Sequence, residues 1–167
     1  MNIRPYRPRD LNVLTELTIQ TFGPFYEDHF RPKIGEAIFR HQHGRWVDDY
    51  RAQVPALHDP PAGKHVAVAH SDDGAVAGYI AWTVDPVRRH GQVVIIAVAA
   101  AHRRDHIGTA LCQHAFEDMT RREVEVVTIG TGGTDSFHAP ARALYESLGC
   151  VPWPVAYYFK QLGPVAS

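Results

Sequence analysis

The residues best suited to chemistry are gathered in one turn. Directly after the apolar run VVIIAVAA, the chain reads AHRRDHIGTAL from Ala101 to Leu111, and an amphipathic helix pattern follows. A strand that ends in a glycine-containing turn and enters a helix aims unpaired amide N–H groups, with the positive end of the helix dipole, beyond the helix N-terminus. Arg103 and Arg104 would add cationic donors there, Gly108 would let the backbone approach a ligand, and Thr109 would offer a hydroxyl in the first turn. The expected ligand is a phosphate or pyrophosphate held mostly by main-chain donors. The bland alternative is a solvated charged loop before a helix.

A second concentration of side chains lies between Phe22 and Leu57. It mixes Phe22, Phe25, Tyr26, Phe30, Phe39, Trp46 and Tyr50 with His29, His41, His43 and the acids Asp28, Asp48 and Asp49. Aromatic walls with acids suit a cationic amine that carries some apolar body. An aromatic core beneath a charged helix face explains the same residues. His41 and His43, two apart on a helix, diverge, so no metal site is expected. The segment TGGTDSFH (Thr131 to His138) is read as a substrate-side loop, because its glycines do not directly open a helix.

These residues need elements to position them. NIRPYR is a short strand at a sheet edge, and Asp10 is an expected N-cap for a helix carrying Leu11, Leu14, Leu17 and Thr18. A second helix is expected from Ile34 to about Tyr50, after which HDPPAG breaks the chain. The pattern then changes to strands. HVAVAH and AVAGYIAWTV flank the turn SDDG, and QVVIIAV is apolar enough for a strand covered on both faces. Leu111, Cys112, Ala115, Phe116 and Met119 form one helix face, VEVVTIG is a further strand, and VAYYFKQL is the last strand. The helix APARALYESLG between those two strands has a stripe at Ala141, Leu144, Tyr145 and Leu148, with Gly149 as its C-terminal stop. The order is strand, two helices, three strands, helix, strand, helix, strand: a mixed α/β domain over 1–167.

Bulk composition narrows the class. A chain of 167 residues is about one domain, with 45% hydrophobic and 21% charged residues. A net charge of -1 gives no global attraction to nucleic acid or to an acidic membrane surface. The N-terminus MNIRPYRPRD has no apolar core of a leader, no transmembrane run is present, and two cysteines make no disulfide framework. A soluble cytoplasmic protein is expected.

VAAAHRRDHIGTAL after an apolar strand resembles the acetyl-CoA motif of the GNAT acetyltransferase superfamily, Arg/Gln-x-x-Gly-x-Gly/Ala. Arg103 falls at the Arg/Gln position, Ile107 at the variable one and Gly108 at the last glycine, with Val98 at the family's valine. ALYESLG is similar to the family's Ala-x-x-x-Tyr-x-x-x-Gly helix, and the element order matches over Asn2 to Leu162. Two positions depart from the pattern. His106 stands where the family has its first glycine and Ala100 where it often has proline. His106 would either lend an imidazole N–H to the phosphate or sit exposed in an αL-like conformation, at small cost.

The resemblance implies a GNAT fold: a central mixed, mostly antiparallel sheet splayed between its fourth and fifth strands, flanked by about four helices. It implies that acetyl-CoA is the co-substrate, with no metal. Arg103, Arg104, Asp105, His106, Ile107, Gly108 and Thr109 would bind its pyrophosphate. Ile96, Ala97 and Val98 would bind the pantetheine arm, with the Val98 N–H on the thioester carbonyl. His138, where the family often has Asn, would touch the same arm. Tyr145 matches the tyrosine that commonly protonates the departing thiolate, a task open to a phenol of pKa about 10; alternatively it is a core tyrosine on its helix stripe. The acceptor would lie against Phe25, Tyr26, His29 and Trp46. Candidates for the general base are His41, His43, Asp28, Asp48, Asp49, His138 or a water chain. The implied reaction moves acetyl to a primary amine, of a small molecule, by direct attack. Alternatives are a protein amine, a larger acyl group, or a CoA-binding module without catalysis. The last strands of such folds often pair across a dimer, so a homodimer is a further expectation.

Overall fold

The computed structural model describes residues 1–164; residues 165–167 of the expected 1–167 domain lie outside the described residues. Five strands form one sheet in the order β1-β2-β3-β4-β5: β1 (Asn2–Pro5), β2 (Lys64–His70), β3 (Val76–Asp85), β4 (His90–Val98) and β5 (Val126–Ile129). The first three pairings are antiparallel and β4–β5 is parallel. The turn between β2 and β3 closes through the Ser71 N–H on the Ala75 carbonyl, 3.0 Å, as SDDG leads one to expect.

Helices cover both faces. On one, α1 (Leu11–Pro24) packs Leu14 and Leu17 on Val66, Val68, Tyr79, Ala81, Ile95 and Ala97. On the other, α5 (Ile107–Arg121) buries Ile107, Leu111, Cys112, Ala115 and Met119 on Ala67, Ala69, Ile80, Trp82 and Val93. The helix α6 (Ala139–Ser147) adds Tyr145 to this second core. The apolar periodicity of each helix thus becomes one buried stripe, the main source of its stability. At the end of α6, Gly149 takes φ +84°, the left-handed stop expected of it.

β4 carries a bulge. Ala81 pairs with Ile95 and Trp82 with Val93, which leaves Val94 without a cross-strand partner on β3. One extra residue reverses the pleat. Val93 accordingly belongs to the α5 core, whereas Ile95 and Ala97 belong to the α1 core. The cover expected on both faces of this strand is incomplete, since Gln92 and Val94 are exposed.

Four expectations are corrected. The single helix from Ile34 to Tyr50 is instead α2 (Arg31–Ile34), α3 (Glu36–His43) and α4 (Trp46–Gln53), preceded by a π-helical stretch at Phe25–Phe30. Gly35 takes φ +87°, which an α-helix cannot continue through, and a second break falls at Gly44 and Arg45. Among the described residues the helices thus form six α segments, where about four were expected. Asp10 does not cap α1. A 3-10 turn at Pro8–Asp10 precedes that helix, and the Asp10 carboxylate accepts both Arg4 guanidinium bonds at 2.8 Å and the Arg7 N–H at 2.7 Å. Finally, VAYYFKQL forms no strand. No return strand separates it from α6, and Pro152 and Pro154 remove two N–H donors just before it. Among the described residues, no helix is long and apolar enough to cross a membrane.

Candidate active site

β5 pairs with β4 only from His90 to Val93, opposite Val126 to Ile129. Beyond that point β4 runs on to Val98 while the chain leaves β5 at Gly130, and a fork opens between them. The Ala99 N–H donates to the Ala77 carbonyl on the β3 side, 2.9 Å. Donors alternate along a strand, so the Val98 and Ile96 N–H groups face the fork. A cavity of about 210 Å³ lies in it, walled by Val93 to Ile96 on one side and by Ile129, Gly130 and Thr131 on the other. Phe22, Tyr50 and Gln53 close one end, and His138, Ala141 and Tyr145 of the α6 region line another wall.

The fork leads to the mouth of α5. His106 is the residue before the helix and takes φ 57°, ψ 16°, in the left-handed region that the glycine pattern leads one to expect there; Arg104 has φ 77°. Among the described residues, the amides of Arg104, His106, Ile107, Gly108 and Thr109 meet no backbone or side-chain acceptor. Amides in this arrangement at a helix N-terminus can hold an anion. Arg103, Arg104, Asp105 and His106 are exposed around them, and Ile107 is buried as the anchor of the helix. A side-chain carbon on Gly108 would meet Leu144 Cδ2 at 3.1 Å and Val98 Cγ2 at 4.0 Å, so the helix mouth sits directly against α6 and the end of β4. The unpaired amides and this close backbone approach fit a diphosphate-bearing carrier whose arm continues into the fork.

Tyr145 is buried, 8% exposed, beside Cys112 and Cys150. Burial pushes its phenol well above the ordinary value, and the two thiols push the same way. The Tyr145 phenol is therefore held in its protonated form. Burial also pushes the Cys112 thiol up to about 12, which leaves it inert as a nucleophile.

Asp135 and His138 are held together in the loop before α6. Asp135 Oδ1 accepts the His138 backbone N–H at 2.9 Å and lies 2.7 Å from its Nδ1. Burial alone would raise the Asp135 carboxyl, but these hydrogen bonds hold it below the usual carboxylate value. The Arg142 guanidinium donates to the Gly132 carbonyl at 2.6 Å and pins the loop to α6.

The residues expected against the acceptor are only partly in place. Phe25, Tyr26, His29 and Trp46 stand behind the cavity, which Phe22, Tyr50 and Gln53 line instead. Phe25 packs on the His138 ring at 4.7 Å, Tyr26 stacks on Trp46 at 5.1 Å, and exposed His29 lies 5.3 Å from Phe137. Trp46 gives its indole N–H to Glu27 at 2.9 Å. Tyr50, bonded to Tyr26 at 3.2 Å, has its phenol raised by burial first and by that bond second. Of the six base candidates, His138 lines the cavity. His41, Asp28, Asp48 and Asp49 are exposed elsewhere, and His43, whose imidazole burial pushes down, packs against Tyr26 and Phe30.

Comparison with known proteins agrees with this geometry. The profile of the acetyltransferase (GNAT) family matches residues 15–150. An uncharacterized N-acetyltransferase, YsnE, of Bacillus subtilis (strain 168) is 37% identical over 68 residues. That match covers 39% of this chain and 44% of YsnE, so the chain spans less than half the length of this relative. The fold recurs in the BH1408 protein of Bacillus halodurans, at a TM-score of 0.71 and 16% identity over 97% of this chain and 100% of that one. It recurs in an aminoglycoside 6'-N-acetyltransferase of Acinetobacter haemolyticus (TM-score 0.65, 17% identity, 98% and 100% coverage). A ribosomal-protein-alanine N-acetyltransferase of Brucella melitensis biovar Abortus 2308 is similar too (TM-score 0.63, 18% identity, 96% and 100% coverage). With the family profile spanning most of its length, the chain belongs to the GNAT family of acetyltransferases, acyltransferases that generally use acetyl-CoA.

Proposed function

We propose that this chain transfers an acetyl group from acetyl-CoA to a primary amine of a small molecule in the cytoplasm, by direct attack and without a covalent enzyme intermediate. One observation carries the reading. The acceptor-free amides at the mouth of α5, the open β4 edge and Tyr145 lie along one continuous path, joined where Gly108 packs on Val98 and Leu144.

Acetyl-CoA, when bound, supplies an activated thioester. Arg103, Arg104 and the amides through Thr109 bind its diphosphate, with Asp105 on the exposed rim of that turn. The Ile96 and Val98 N–H groups, flanking Ala97, bind the pantetheine arm, and the Val98 N–H polarises the carbonyl. Tyr145 gives its proton to the departing sulfur; its burial keeps that proton in place until then. The acceptor amine would meet the thioester in the fork cavity of about 210 Å³. Its aromatic end at Phe22 and Tyr50, backed by Phe25, Tyr26 and Trp46, suits a cation with an apolar body. Structural neighbours named for aminoglycosides and for a ribosomal protein share the fold, so the fold itself does not choose the acceptor. The acceptor-binding roles of Phe25, Tyr26, His29 and Trp46 become indirect: they brace the residues that line the cavity. The expected homodimer would form through the C-terminal segment, whose apolar side chains are exposed.

Calorimetry with acetyl-CoA and free CoA, followed by a thiol-release assay over spermidine, aminoglycosides, amino acids and peptides, tests this. The expected result is binding of both and turnover with small amines. Turnover with peptides alone, or with a longer acyl-CoA alone, moves the assignment to the corresponding alternative. Binding without turnover would make the chain a CoA-binding module, and no heat with either ligand overturns the reading.

A further inference from the structure

We propose that Asp135 and His138 form a carboxylate–imidazole dyad in which His138 Nε2 is the general base that deprotonates the acceptor ammonium. The inference rests on the function proposed above and names a residue pair for one of its steps.

Four observations carry it. An ionised carboxylate can only accept hydrogen bonds, so at 2.7 Å from Asp135 Oδ1 the proton must sit on His138 Nδ1. That fixes the tautomer and leaves the Nε2 lone pair free, as a base requires. The ring cannot swing away, because the backbone N–H of His138 binds the same oxygen and Phe25 and Phe137 pack on the ring at 4.7 and 5.1 Å. The ring lines the cavity that Tyr145, Tyr50 and Phe22 also line. Gly132 is part of the same construction. A side-chain carbon there would collide with Asp135 Oδ2 and His138 Nδ1, so the loop closes on the pair with no room to spare.

The titratable and charged groups around His138 are few. Asp135 is in contact, Arg142 is held at the Gly132 carbonyl, Tyr145 and Tyr50 share the cavity, and His29 packs on Phe137. The proton balance is simple. Nε2 takes one proton from the ammonium and becomes imidazolium, and the amine attacks with its freed electron pair. The second nitrogen proton, lost as the amide forms, replaces the one Tyr145 gives to the sulfur, and the imidazolium returns its proton to solvent. His138 and Tyr145 then hold complementary posts, one emptied of a proton and one filled, as pairs with opposed environments do. His138 serves the acceptor here rather than the pantetheine arm. Asp135 is a positioning residue.

The test has two arms. Histidine ¹⁵N NMR on the full chain reads the tautomer without any substrate. Neutral His138 is expected to carry its proton on Nδ1, and D135N is expected to shift the tautomer population toward Nε2–H. An Nε2–H tautomer in the unaltered protein overturns the proposal. In the kinetic arm, H138A is expected to lower kcat/KM for the amine by about 100-fold or more. D135N is expected to lower kcat/KM for the same acceptor by about tenfold, because the ring loses the carboxylate that orients it. Acetyl-CoA affinity by calorimetry should stay within about threefold in both variants, because neither side chain belongs to the turn of amides and arginines at the α5 mouth. Retention of the original rate by H138A overturns the dyad, as does a tenfold loss of acetyl-CoA affinity, which would make His138 a coenzyme ligand. If the unaltered protein binds no acetyl-CoA, the functional reading fails while the NMR arm still decides the dyad.

Discussion

At the scale of single residues, burial and hydrogen bonding set what each side chain around the fork can do. Tyr145 is sealed between α5 and α6 beside two thiols, so its phenol stays protonated far above its usual range. Tyr145→Phe keeps the packing and removes only the donor. We expect kcat to fall at least tenfold with little change in the acetyl-CoA KM, measured by thiol release; an unchanged kcat would remove Tyr145 from the mechanism. His106 presents a different physical question. It occupies φ 57°, ψ 16°, where a side chain is tolerated and glycine is at ease. His106→Gly should therefore keep or improve acetyl-CoA affinity on titration, whereas a tenfold loss would identify the imidazole as a phosphate ligand. This turn was legible in the sequence because its signals are local: a glycine, two arginines and a helix start within eight residues. The Asp135–His138 pair was not. Both residues were in view, but only the folded loop brings a carboxylate to the right ring nitrogen.

At the scale of elements, the same contrast recurs. The sheet and the buried stripes of α5 and α6 follow from periods of two and 3.6 that the sequence carries openly. The acceptor side does not, because the π-helical stretch Phe25–Phe30 adds residues to each turn and shifts the phase of everything after it. The resemblance points to Phe25, Tyr26 and Trp46, whereas the cavity is lined by Phe22, Tyr50 and Gln53. The bulge at Val94 acts alike in β4, since one unpaired residue exchanges the faces of Val93 and Ile95. The joint between β1 and α1 carries a prediction. The Arg4 hydrogen bonds hold the Asp10 carboxyl below its ordinary value of 3.8, against the opposing effect of burial, and the Arg7 N–H assists. A depressed carboxyl stabilises the fold above its unfolded-state value, and that contribution is lost as pH falls below about 3.8 through the lower folded value. Asp10→Ala should cost about 2 kcal/mol at pH 7, by removing the acceptor of three hydrogen bonds in a part-buried pair. Urea midpoints followed from pH 6 to 2 should fall less steeply for the variant than for the unaltered chain.

At the scale of the whole molecule, two α-covered faces and a forked sheet account for almost all of the chain except its C-terminal segment. Val151, Trp153, Val155, Tyr157, Tyr158 and Leu162 are each at least 70% exposed, after a helix whose own apolar stripe is satisfied. β5, at the edge of the sheet, has its outer side unpaired and exposes Val126 at 60%. A strand-patterned segment without a partner and an edge strand without a neighbour are each liabilities in water. Their own chain does not join them, since the segment runs instead along α3, with Phe159 against Phe30 at 5.9 Å. Reciprocal exchange between two copies would satisfy both. Three aromatic side chains bury roughly 150–250 Å² each. Counted on two copies, they reach about 1,000 Å², the least that a specific interface needs. We therefore expect the full chain to run as a dimer in size-exclusion chromatography with light scattering at micromolar concentration. Trp153→Asp together with Tyr157→Asp should yield monomers that keep the far-ultraviolet spectrum of the parent. A monomeric parent at all accessible concentrations would mean that these side chains have no partner in a second copy, and the C-terminal strand pattern would need another occupant.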